Sequence, residues 1–173
     1  MSKQKIGLNG WFLPKSYTGI GQYTANLLRA MAIEEPKVEW IVAIPEDKGF
    51  VRRHPQETRF ARLWPANVTL KILPQKSWLP TASLRKWAWE QFQVPALFKR
   101  EKVDVAHYPY PCNPRFPGIF RNNAHSADAP WLPKTIVTVH DVIPWTDPAY
   151  RRRLRTRLYQ SWSQKALLKA DKI

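Results

Sequence analysis

Cysteine is nearly missing from this chain. Cys112 is the only one in 173 residues, so no internal disulfide can form and a cysteine-based zinc site is excluded. Acid is scarce as well: 13 Asp and Glu stand against 28 Lys and Arg, a formal net charge of +15 at pH 7. No apolar run approaches the roughly 20 residues needed to cross a bilayer. Met1 to Lys5 leads only into a short apolar stretch, too short for a signal-peptide core. These absences predict a soluble or peripheral protein, and the cysteine usage fits a reducing cytoplasm. The length matches one ordinary α/β domain, large enough to fold without cross-links.

What is plentiful is positive charge and tryptophan. A field of this sign attracts polyanions: nucleic acid, anionic lipid headgroups or sugar phosphates. Nine tryptophans accompany it. Indole beside Lys and Arg suits a membrane interface, and it suits base stacking on single strands equally well. Composition leaves both open.

Along the chain, short apolar runs alternate with helical patterns. Lys5–Asn9 reads as a first strand, followed by a polar loop from Gly10 to Thr18. A helix opens at Gly19-Ile20-Gly21, with Tyr23, Leu27, Ala30 and Met31 as its expected apolar face, and Pro36 stops it. Glu39–Ile44 and Val68–Leu73 read as the next strands. Between them, residues 47–65 are basic and weakly periodic, a short helix plus loop. A second helical pattern runs from Leu84 to Lys102, carrying Trp87, Trp89, Phe92, Leu97 and Phe98, and Pro95 must kink or split it. Val103–His107 is a fourth strand. A proline-rich loop spans 109–133, long enough to be functional. Thr135–Val139 is the most β-branched strand, as a buried parallel strand should be. A last helix runs from near Ala149 to about Ala170, and Asp171-Lys172-Ile173 resembles the start of another strand. The alternation predicts a parallel sheet covered on both faces, a Rossmann-like, doubly wound α/β fold.

In such a sheet, ligands lie beyond the carboxyl ends of the strands. Two motifs fall there. In Thr18-Gly19-Ile20-Gly21, glycines at a helix N-terminus let backbone N–H groups approach a phosphate, aided by the helix dipole. The alternative is a plain flexible turn, and Gly-x-Gly alone is weak. It is not the dinucleotide fingerprint, because Thr24 takes the third glycine's place, so NAD is disfavoured. The second motif is His140-Asp141, directly after the fifth strand. A neutral His can bond a sugar hydroxyl and an adjacent carboxylate can orient its ring. Alternatively His140 caps the next turn while Asp141 holds the backbone of Val142-Ile143-Pro144. His54, His107 and His125 show no ligand-like spacing, no Asp-x-Asp pair or phosphate loop is present, and no metal is expected. A third feature is basic-aromatic surface: Arg52, Arg53, Arg59 and Arg62, then Lys76 to Trp89 with Arg85, Lys86 and Trp87, then Arg151 to Arg157. Any single run reads as a solvated face. Several together favour an anionic surface partner. Nucleic acid is disfavoured, since no recognised RNA- or DNA-binding motif is present.

Together these segments resemble the N-terminal domain of family 4 glycosyltransferases, which have the GT-B fold, with a mannosyltransferase-like pattern. The matching blocks are Tyr17 to Thr24, Trp89-Glu90-Gln91-Phe92 with Val94-Pro95, Val103 to His107, and Val137 to Pro144, followed by Ala170 to Ile173. The resemblance implies that residues 1–173 form a single acceptor-side Rossmann-like domain. It also implies that a C-terminal domain, not represented in this sequence, binds the nucleotide, and another chain can be its source. Gly19, Ile20 and Gly21 would lie against the diphosphate of a nucleoside-diphosphate sugar donor. His140 would contact the transferred sugar, with Asp141 in support. The family retains anomeric configuration, uses no metal or cofactor, and serves glycan or lipid-linked acceptors. That implies a cytoplasmic location, peripheral on the inner face of the plasma membrane. The competing reading is a membrane-binding module without catalysis, contacting anionic lipid through Arg52, Arg53, Arg59, Arg62, Arg85, Lys86 and Trp87.

Overall fold

A computed structural model of the chain describes residues 3–15, 17–46, 64–76, 78–112 and 132–147, together with 149, 157, 161, 164, 167 and 170–173. Its centre is a five-stranded, all-parallel sheet of β1 (Lys5–Asn9), β2 (Glu39–Pro45), β3 (Val68–Leu73), β4 (Val105–Tyr108) and β5 (Lys134–Val137). The strand order is β3-β2-β1-β4-β5, so the fold is a Rossmann-like α/β sheet. Beyond β5, Lys172 makes a single parallel bridge to Ile136.

Helices cover both faces because the central strands alternate between two apolar sides. On β2, Trp40, Val42 and Ile44 join Leu8, Leu28 and Ala32 in one buried cluster, on the side of α1 (Gly19–Glu34). Ile41 and Ala43 point the other way, into a cluster with Trp89, Val94, Leu97, Phe98, Ala106 and Tyr108. That second cover consists of α2 (Ala82–Ala88), a π-helical turn at Trp89–Gln93, and α3 (Val94–Glu101). Gly7 explains how closely α3 approaches β1: a Cβ there would lie 2.7 Å from the Phe98 ring. Phe98 is fully buried, and truncating such a ring typically costs about 3–5 kcal/mol.

Pro95 splits the second helical pattern, as its missing N–H requires. It stands at the start of α3, and the widened turn before it absorbs the break, with the Val94 amide donating to the Trp89 carbonyl. Three consecutive residues, Trp89, Glu90 and Gln91, are thereby buried. Trp87, expected on the basic-aromatic surface, is exposed, and so is Phe92, the two rings meeting edge to face at 5.4 Å.

Two further expectations need correction. The buried stripe of α1 is Gly21, Thr24, Leu28 and Ala32, rotated from the expected Tyr23, Leu27, Ala30 and Met31. Gly21 lets the start of the helix lie against its own preceding loop, where a Cβ would come 2.3 Å from the Lys15 carbonyl oxygen, and hydrophobicity alone does not reveal that approach. The strands β4 and β5 also lie slightly off their expected limits, β4 running to Tyr108 and β5 ending at Val137. A short helix, α4 (Ile143–Thr146), follows β5. Most of the helix expected after Ala149 lies outside the described residues. Arg157, Ser161, Gln164 and Leu167 within it are helical, and Leu167 is buried in the core.

Candidate functional site

The strand order reverses between β1 and β4, because the chain leaves β1 for β2 on one side and returns from β3 to β4 on the other. A crevice opens at the carboxyl ends of two such strands.

From β1 the chain runs through a 3-10 turn at Leu13–Lys15 into α1. Thr18 caps this helix: its Oγ1 accepts from the Gly21 amide at 3.1 Å and donates to the Lys15 carbonyl. Gly21 is needed for packing, since a Cβ there would lie 2.3 Å from the Lys15 carbonyl oxygen. Its amide is already engaged by the cap. Gly19 faces open space, and the amides of Gly19 and Ile20 have no partner among the described residues. Of the glycine motif, then, Gly19 and Ile20 carry the open donors, and Gly21 shapes the turn.

His140 follows β5 and is exposed. Its ring meets the Tyr23 ring edge to face at 4.6 Å. Tyr23 stands one turn after Gly19, a rise of about 6 Å, so the start of α1 and the end of the β5 segment are neighbours. Nε2 of His140 lies 2.9 Å from the carbonyl oxygen of Pro109. A carbonyl only accepts, so Nε2 carries the proton and Nδ1 of the neutral ring is left as an acceptor. Asp141 does not orient the ring. Its carboxylate accepts from the Ile143 amide at 3.1 Å and holds the turn into α4.

Sequence reasoning missed a polar network under the same rim. Asn9 is fully buried at the end of β1. Its Oδ1 accepts from the Trp11 amide and from Nε1 of Trp89, both at 3.1 Å, and its Nδ2 donates to the Tyr110 hydroxyl at 2.8 Å. The Tyr110 hydroxyl in turn bonds the carboxylate of Glu90, which also pairs with the ammonium of Lys86. Burial raises the Glu90 pKa above its ordinary value, a tendency that Lys86 and Tyr110 oppose. Lys86 Nζ lies 4.3 Å from the Tyr110 ring centroid and 5.8 Å from that of Phe12. The available signal was Glu90-Gln91 inside an otherwise apolar helical pattern, since buried polar groups demand partners.

The structure separates the members of the basic-aromatic surface. Trp87 is exposed. Arg85 is half-buried, its guanidinium donating to the Leu79 carbonyl at 2.8 Å, and Lys86 turns inward to Glu90. Arg52, Arg53, Arg59 and Arg62 lie outside the described residues, as do His54 and His125. His107 is a core residue of β4. Its Nε2 is 2.9 Å from Thr138 Oγ1, and burial lowers its pKa to about 4. Among the described residues no three His, Cys, Asp or Glu side chains are grouped to hold a metal ion.

A Rossmann-like sheet with its crevice at this switch point defines a class of ligand-binding α/β domain. The match to known families is narrower: residues 18–173 match the glycosyl transferase 4-like domain, and the chain belongs to that family. Searches of curated proteins and of solved structures returned no match.

Proposed function

We propose that this domain is the acceptor-side half of a retaining glycosyltransferase that moves a hexose from a nucleoside diphosphate to a glycan or lipid-linked acceptor. One observation carries the reading: the 4.6 Å contact between Tyr23 and His140, which brings an open helix N-terminus beside an accepting imidazole nitrogen. The amides of Gly19 and Ile20, with the dipole of a 16-residue helix behind them, face the donor diphosphate. Charge developing on the departing diphosphate is stabilised there without a metal. Nδ1 of His140 accepts from a hydroxyl of the transferred sugar and fixes its orientation. Asp141 supports this by holding the turn behind the ring. The nucleotide itself is held by a separate C-terminal domain. Release of nucleoside diphosphate from UDP-, GDP- and dTDP-hexoses tests this. The chain alone is expected to be inactive and to gain turnover when a C-terminal nucleotide-binding domain is supplied. His140→Ala should then lower kcat about a hundredfold. Turnover by the chain alone, or an active His140→Ala, would refute the proposal.

A second reading concerns where the acceptor is met. Trp78 is 74% exposed, and Leu84, Trp87 and Phe92 are each more than 40% exposed, with Lys76 over the Trp78 ring and Arg85 nearby. Apolar rings beside cations fit the headgroup layer of an anionic membrane, where each basic residue contributes about 1 kcal/mol. No helix among the described residues is long and apolar enough to cross a membrane. Sedimentation with vesicles containing phosphatidylglycerol should retain the chain, and Trp78→Ser with Trp87→Ser should release it. Equal binding to neutral vesicles would remove this reading.

A further inference from the structure

The segment carrying Pro109 is pinned from both sides. Before it, the Tyr108 carbonyl accepts from the Thr138 amide at 2.9 Å, tying β4 to the chain just ahead of His140. After it, the Tyr110 side chain is almost fully buried and its hydroxyl is held by Asn9 and Glu90. Pro109 has no N–H and a restricted φ, so little freedom remains between these anchors. Its carbonyl is what His140 Nε2 meets. Glu90 reaches Tyr110 from the π-helical turn, in which Trp89, Glu90 and Gln91 are buried in succession. An α-helix spaces neighbours about 100° apart and would turn one of them outward.

We infer that Tyr110 and Glu90 are positioning residues for His140: they hold the Pro109 carbonyl where it binds Nε2–H and leaves Nδ1 directed as an acceptor. The inference rests on the proposed role of His140, since only a working imidazole gives its tautomer a consequence. Neither residue touches the substrate. Their effect passes through two adjacent residues of the β4 loop.

The test reads the ring and does not require turnover, so its failure is distinct from failure of the transfer reaction. In the 15N-labelled full chain, ring correlations give the ratio of the Nε2–H to the Nδ1–H form of neutral His140. Tyr110→Phe keeps the ring and removes the hydroxyl, and the ratio should fall about fivefold, the worth of one net hydrogen bond. Glu90→Gln retains an acceptor for Tyr110 and should keep the ratio within about twofold of the unaltered chain. Asn9→Asp keeps acceptors for Trp11 and Trp89 but removes the donor to Tyr110. It supplies the same readout, with a fall in the same direction, should Tyr110→Phe prove too unstable. His107 is the control, because its ring is fixed by Thr138 inside the sheet. An unchanged His140 ratio in Tyr110→Phe would overturn the inference. So would an equal disturbance of His107, which would make the network a support of the sheet and not of the ring.

Discussion

Replacing His107 by Gln should flatten the acid sensitivity of this domain. The imidazole sits on β4 with 8% of its surface exposed, and desolvation lowers its pKa from 6.5 to about 4. Burial favours the neutral ring, so between these two values the unfolded chain binds a proton that the folded protein does not. The associated stability is fully present above the unfolded value of 6.5. It is lost as pH falls through the window towards 4. The whole interval corresponds to about 3 kcal/mol, of which roughly 2 kcal/mol disappears between pH 7 and pH 4.5. In a domain of this size that is a fall of roughly 4–8 °C in Tm. Other groups titrate over the same range, so the decisive quantity is a difference. Thermal unfolding of the unaltered chain and of His107→Gln is compared at the two pH values. Gln can still bond Thr138, so its stability at pH 7 should differ by no more than about 1 kcal/mol. Between pH 7 and pH 4.5 the unaltered chain should lose roughly 2 kcal/mol more than the variant. Equal losses would mean that the ring protonates freely in the folded state, and the argument from burial would fail.

Three more substitutions probe the rim and the core beneath it. Gly21→Ala places a Cβ against the Lys15 and Phe12 carbonyl oxygens, backbone atoms that cannot rotate away, and should cost about 3 kcal/mol in urea unfolding. Gly19→Ala meets nothing within 4 Å and should be within about 0.5 kcal/mol of neutral. The Tyr108 hydroxyl is buried without a partner among the described residues, so Tyr108→Phe should be neutral or up to about 1 kcal/mol stabilising. A loss of more than about 1 kcal/mol would show that the hydroxyl is satisfied.

Much of the fold was legible because its signals are local. The limits of β1 and β3 match the apolar runs residue for residue, and β2 differs only by including Pro45. Pro95 divided its helix as its chemistry demands. The rotated face of α1 was not legible, because the close approach of Gly21 to the preceding loop turns that face inward, while a hydrophobic pattern follows larger residues such as Tyr23. Tyr23 is instead a rim residue facing His140. The site divides in the same way. Strand ends point to Gly19 and His140 from sequence alone. The Asn9 network does not show itself, since it joins residues 80 and 101 positions apart and depends on a π-helical turn that no periodicity announces. Lys86 illustrates the limit for charge: composition reads it as surface, whereas a buried carboxylate four residues on draws it inward.

The central claim is that the start of α1 and His140 share one ligand, and nuclear magnetic resonance titration with a sugar nucleotide tests it directly. With UDP-glucose or GDP-mannose raised to millimolar concentration, the amides of Gly19 and Ile20 and the ring of His140 should shift together along one saturation curve. Shifts confined to the Lys76–Trp87 surface, or none at those three groups at saturation, would contradict it.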